Sequence, residues 1–167
     1  MLKNKNQNRS IIMKKFIFFL ITGCLNFYAI AVNSAPIIGC VESSSYPIKV
    51  CYEDEADISL AQEILPSAER VWSIFIEQIG FSEPWRTGEN GNPERGVEVV
   101  LTDLGEDVSG YSEPVSDIPQ TLESDCTSRL YINKSIPSYY SRMVISHEMG
   151  HMILMAQDCV EAFGEGF

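Results

Sequence analysis

Polar and apolar positions along the chain separate one long continuous apolar run from a series of short periodic segments. Residues 16–32, FIFFLITGCLNFYAIAV, are almost wholly apolar and follow the polar, basic MLKNKNQNRS and the pair Lys14-Lys15. Further on, Ile37–Val41 and Ile48–Tyr52 are short β-type runs around the turn-rich ESSSYP. Glu53–Ile79 then takes a helical period, with Ile58, Leu65, Val71, Trp72, Phe75, Ile76 and Ile79 near i, i+3, i+4, i+7. Pro66 either kinks this helix or opens a second one at its first position, and Gly80 is placed to cap the C-terminus. PWRTGENGNPERG, 84–96, reads as a loop turning at Asn90-Gly91. VEVVL, 97–101, is β-branched and reads as a central strand. Residues 103–127 are polar and broken by Gly110, Pro114 and Pro119, so they read mostly as loop. RLYIN, 129–133, reads as a strand, and a helix opening at Pro137-Ser138 runs on through residues 147–151. The order strand–strand–helix–strand–strand–helix predicts an α+β domain.

The apolar run changes how the first 35 residues are read. A basic start, an apolar centre and small residues at Ala29, Ala31, Ser34 and Ala35 form the pattern of a secretory signal, and MKKFIFFL from Met13 opens one equally well. The run is shorter than the ~20 residues of a spanning helix, so removal is expected and the mature domain is 36–167. Ile21-Thr22-Gly23-Cys24 also has the form of a bacterial lipobox, which would leave Cys24 lipidated; no stable membrane association is expected otherwise. The remaining 36–167 suits one globular domain, with 45% of the whole chain hydrophobic.

Export also changes the charge. Five of the 12 Lys+Arg and none of the 23 Asp+Glu precede Ala35, leaving 7 against 23, a net −16. Such a surface repels nucleic acid and anionic lipid, which excludes both as partners. Four cysteines remain: Cys40, Cys51, Cys126 and Cys159. In an exported chain an even number points to two disulfides, and of three connectivities Cys40–Cys51 with Cys126–Cys159 is preferred. The first closes a hairpin; the second ties the segment before the last helix to the segment after it. None of the spacings is that of a Cys-x-x-Cys zinc site.

The chemistry lies in His147-Glu148-Met149-Gly150-His151, an H-E-x-x-H pattern holding both histidines of the chain. On a helix, residues i and i+4 project from one face a turn apart, so two imidazoles there can meet one Zn²⁺. Glu148 is not a ligand in that geometry; it sits where it can take a proton from a zinc-bound water and return it to a leaving amine. The apolar Val144-Ile145 and Met152–Met155 suit burial of the other helix faces.

A catalytic zinc needs a third protein ligand. Asp158 stands seven residues past His151, which on a continuing helix places it about 10 Å further along and out of reach. Leu154 occupies the glycine position of H-E-x-x-H-x-x-G-x-x-H, so the chain must turn before the third ligand. Glu165, with Gly164 and Gly166 beside it, permits such a turn and completes a His₂Glu set; Glu161 is the runner-up.

HEMGH followed by Glu165-Gly166 resembles the secreted gluzincin-type zinc metallopeptidases. VWSIFIEQIGFSEP, VEVVLTDL, Gly110-Tyr111 and RLYIN leading into SRMVISHEMGH resemble them more loosely, over roughly 55–167. The resemblance implies a zincin-like N-terminal lobe, with a twisted mixed sheet above an active-site helix. In those enzymes the Glu-Gly opens a second helix, and a further lobe supplies an oxyanion-stabilising Tyr or His. Residues 36–167 are therefore expected to be a partial domain lacking its C-terminal lobe. Tyr139 and Tyr140 precede the metal helix and are assigned to packing.

The sequence thus predicts an exported, zinc-dependent peptidase acting on protein or peptide substrate. Zn²⁺ is its cofactor, His147, His151 and Glu165 its ligands, and Glu148 its general base and acid. Substrate is expected to lie extended along a sheet edge. The alternatives are a non-catalytic secreted zinc-binding protein and a structural domain held by its disulfides.

Overall fold

β-branched residues at alternate positions build the centre of the molecule. The computed structural model describes residues 35–88, 90–118 and 125–159. Residues 1–34 of the expected signal segment, with Cys24 of the lipobox-like stretch, and Glu161 and Glu165 lie outside the described residues.

The strands are β1 (Gly39–Glu42), β2 (Ile48–Tyr52), β3 (Trp85–Thr87), β4 (Pro93–Arg95), β5 (Val97–Thr102), β6 (Gly110–Asp117) and β7 (Cys126–Asn133). Two α-helices, α1 (Ile58–Trp72) and α2 (Ser138–Met155), complete the described α+β fold. Five strands form one mixed sheet in the order β1-β2-β5-β7-β6. β2, β5 and β7 run parallel in the middle, and β1 and β6 close the two edges antiparallel.

Successive side chains on a strand point to opposite faces. Ile48, Val50, Tyr52, Val97, Val99, Leu101, Leu130 and Ile132 therefore share one face, where they pack against α1 and α2 in a single core. α1 contributes Ala61, Ile64, Leu65, Ala68, Val71 and Trp72; α2 contributes Val144, Ile145, Met149, Met152 and Ile153. The intervening residues form the opposite face. Cys51, Val100 and Tyr131 make a small second cluster there with Leu104 and Tyr111. Lys49, Glu98 and Arg129 lie beside it as an ion-pair row, Lys49–Glu98 at 2.8 Å and Arg129–Glu98 at 2.6 Å. A carboxylate that is 4% exposed in the middle of a β-branched strand is tolerated because two cations flank it.

Several expectations need adjusting. The helix predicted over Glu53–Ile79 is one 3-10 turn (Glu55–Asp57), then α1, then a π turn (Ser73–Ile79). Pro66 sits inside α1 and opens no second helix. It occupies the exposed side, where water can serve the carbonyl left without its usual donor. Gly80 ends the π turn at φ 86, its N–H bonded to the Phe75 carbonyl, as its cap role requires. The predicted loop 84–96 contains the β3–β4 hairpin, pinned by the Arg86–Glu94 ion pair at 2.8 Å and by Arg95 stacked 3.6 Å over the Trp85 ring. The predicted loop 103–127 contains β6. As an edge strand, β6 accommodates Pro114, which stands at a register shift between Pro114 and Ser116.

Both preferred disulfides form. Cys40–Cys51 links directly opposed residues of β1 and β2, and Cys126–Cys159 ties the start of β7 to the chain just past α2. Two disulfides fit an oxidising, non-cytoplasmic compartment. Among the described residues no helix is long and apolar enough to cross a membrane.

Candidate metal centre

α2 buries a stripe at helical spacing: Ser141, Val144, Ile145, Glu148, Met149, Met152, Ile153 and Met155. The opposite stripe faces outward. It carries Tyr140, Met143, His147 and Leu154, with Met143 at 56% and Leu154 at 48% exposure. Leu154 thus departs from the expected burial of the apolar flanks. Tyr139 departs from its packing role as well, being 84% exposed in the first turn of α2.

His147 and His151 stand one turn apart, as their spacing requires. Their Nε2 atoms converge to 3.2 Å and the rings are set edge to face, 79° apart. Two nitrogens each ~2.05 Å from one tetrahedral ion lie ~3.3 Å from each other. The separation of the two nitrogens therefore matches that of two corners of a zinc site. Among the described residues no group of three His, Cys, Asp or Glu forms a metal cluster, and Asp158 does not join the pair. α2 ends at Met155 and the chain turns there, with Gln157 and Asp158 donating backbone N–H to the Leu154 carbonyl.

Glu148 lies on the side of α2 that faces the sheet and is 7% exposed. Its Oε2 accepts a hydrogen bond from Ser112 Oγ on β6 at 3.1 Å. The approach of β6 to α2 depends on Gly110. A Cβ there would stand 2.5 Å from Val144 Cγ1 and 2.8 Å from the Tyr131 carbonyl oxygen. Two cavities flank the histidine pair. One of about 270 Å³ lies between β6 and α2, against Ser109, Gly110, Met143, Val144, His147 and Glu148. The other, about 520 Å³, is more apolar and is lined by Phe81, Gly150, Ile153 and Leu154 together with both histidines.

The outward side chains of β6 hold the strand from behind. Tyr111 stacks on Tyr131 with ring centroids 4.7 Å apart, and Tyr131 donates to Glu113 Oε1 at 2.7 Å. Burial, with the charges of Glu113 and Glu53, pushes the Tyr111 hydroxyl up to about 12. Burial likewise raises the Tyr131 pKa. The neutral, hydrogen-bonding forms of both rings are thereby favoured.

The sequence singles out His147, Glu148 and His151 on this helix but not Ser112, the hydrogen-bond partner of Glu148. The available signal was the alternation Gly110, Ser112 against Tyr111, Glu113, which marks a two-faced strand. It was masked by the neighbouring proline and glycine. Asn133, the head of an Asn-Lys-Ser sequon, is 2% exposed. Its Nδ2 donates to the carbonyls of Gly105 at 2.5 Å and Val108 at 2.8 Å, so it clamps the loop before β6. No protein-family model, curated protein or solved structure matches this chain.

Proposed function

We propose that this protein is an exported zinc-dependent peptidase with a zincin-like arrangement, using His147 and His151 as ligands, Glu165 from beyond α2 as the third, and Glu148 as general base and acid. The observation that carries the reading is the 3.2 Å convergence of the two Nε2 atoms beside a buried glutamate. It is supported by the open stripe of α2 and by β6, an edge strand among the described residues, whose first residue Gly110 lines the cavity beside His147. Zn²⁺, when bound, polarises a substrate carbonyl and makes water acidic near neutral pH.

The chain's own groups then do the rest. An extended peptide pairs with the free edge of β6 through main-chain hydrogen bonds, which sets its carbonyl over the histidine pair. Glu148 takes one proton from the attacking water as the new carbon–oxygen bond forms. It delivers that proton to the amine nitrogen as the carbon–nitrogen bond breaks, and ends ionised as it began. The side chains of Met143 and Val144 in the smaller cavity offer an apolar seat for the residue next to the cleaved bond.

The test compares the full oxidised chain with its Glu148→Gln variant. Elemental analysis should find one zinc per chain in both, and only the parent should cleave casein or a mixed peptide library. Full activity in the variant, or a metal-free parent after dialysis at neutral pH, would overturn the reading. Bound zinc with no turnover in the parent would make this a zinc-binding protein and not an enzyme.

A further inference from the structure

We propose that Ser112 is a positioning residue for Glu148: from the edge strand it holds one carboxylate oxygen so that the other is presented to the cleft for proton transfer. The inference rests on the peptidase reading above. It starts from a contact between elements 36 residues apart, Ser112 Oγ to Glu148 Oε2 at 3.1 Å.

Three features make this contact a fixed one. Ser112 opposes Leu130 in the β6–β7 register, and Leu130 is fully buried, so its strand position is set by the core. The neighbours Tyr111 and Glu113 are held on the other face of the sheet by the Tyr131 ring and hydroxyl. Gly110, two residues earlier on the inward side, removes the Cβ that would force β6 away from Val144. A slip of one residue would turn Ser112 outward and bring Tyr111 against α2.

The chemistry of a shuttling carboxylate explains why a hydroxyl suits this place. A glutamate has three side-chain torsions, and a free one samples orientations that do not face the substrate. A cationic partner would hold it more firmly but would lower its basicity. A serine hydroxyl donates to Oε2 when the carboxylate is ionised. It donates to the same oxygen, then the carbonyl of the acid, when the other oxygen carries the transferred proton. The Ser112 hydrogen bond therefore persists through both halves of the cycle, with no proton moving between Ser112 and Glu148.

The experiment uses the full oxidised chain with Ser112→Ala and Ser112→Thr. With zinc bound, Ser112→Ala should lower kcat about tenfold on a peptide substrate and leave KM and zinc stoichiometry unchanged. Ser112→Thr, which keeps the hydroxyl, should restore most of kcat. An unchanged kcat in Ser112→Ala would overturn the proposal. A second readout needs neither metal nor turnover: NMR couplings of the Glu148 side chain in the metal-free chain. One rotamer in the parent and averaging in Ser112→Ala support the positioning role, even where the parent proves inactive and only the peptidase reading fails. Averaging already in the parent overturns it.

Discussion

Replacing Gly110 by alanine adds one methyl group where β6 packs against α2. The new Cβ would lie 2.5 Å from Val144 Cγ1 and 2.8 Å from the Tyr131 carbonyl oxygen. Carbon atoms rest at ~3.5–4.0 Å, so the first contact is short by at least ~1 Å. Val144 is 7% exposed and belongs to the core, and the Tyr131 oxygen is backbone of the adjacent strand, so neither has an easy way out. Overpacking of this kind costs ~1–3 kcal/mol, and with a backbone atom in the way the upper half of that range is expected. Urea unfolding of the oxidised chain, followed by circular dichroism, should show a loss of ~2–3 kcal/mol with an unchanged slope. Val144→Ala in the same chain removes one of the two obstacles. The double variant should then be less destabilised than the sum of the singles by ~1 kcal/mol. A Gly110→Ala chain within ~0.5 kcal/mol of the parent would refute the close approach of β6 to α2, and with it the basis for the Ser112–Glu148 contact.

Replacing Cys126 and Cys159 together by serine opens a 33-residue separation and should cost ~3–4 kcal/mol by chain entropy, read as a lower urea midpoint than the parent under oxidising conditions. Tyr111 keeps its proton up to about 12 when folded against 10.0 unfolded, so its effect on stability is flat below pH 10 and falls as pH rises from 10 towards 12. Tyr111→Phe should make that decline shallower in thermal melts, and an identical decline would show that the ring is not buried as described. Asn133→Ala removes the two side-chain donor bonds to Gly105 and Val108 and should cost ~2 kcal/mol, with faster amide exchange in residues 103–109 as the local readout.

Much of this architecture was legible along the chain because it depends on local periodicity. The alternation in IKVCY and VEVVL matches strands whose inward residues share one core. The i, i+4 spacing of His147 and His151 puts both imidazoles on one face of any helix. Even the disulfide pairing followed from which segments the cysteines flank. β6 was not legible, since an edge strand forms only half of a ladder and tolerates Gly110 and Pro114, which otherwise mark loops. The β3–β4 hairpin was hidden in the same way, each strand having three residues and a neighbouring turn.

What the sequence determined by itself is therefore the inventory and its spacing: the two strand periods, the helix carrying His147, Glu148 and His151, four paired cysteines and a strongly acidic surface. What only the tertiary structure decided is which residues meet across long separations. Ser112 reaches Glu148, Glu98 sits between Lys49 and Arg129, and Tyr111 stacks on Tyr131. Those meetings depend on strand order and register, and these follow from how a whole sheet buries one face against two helices, a property that no local window contains.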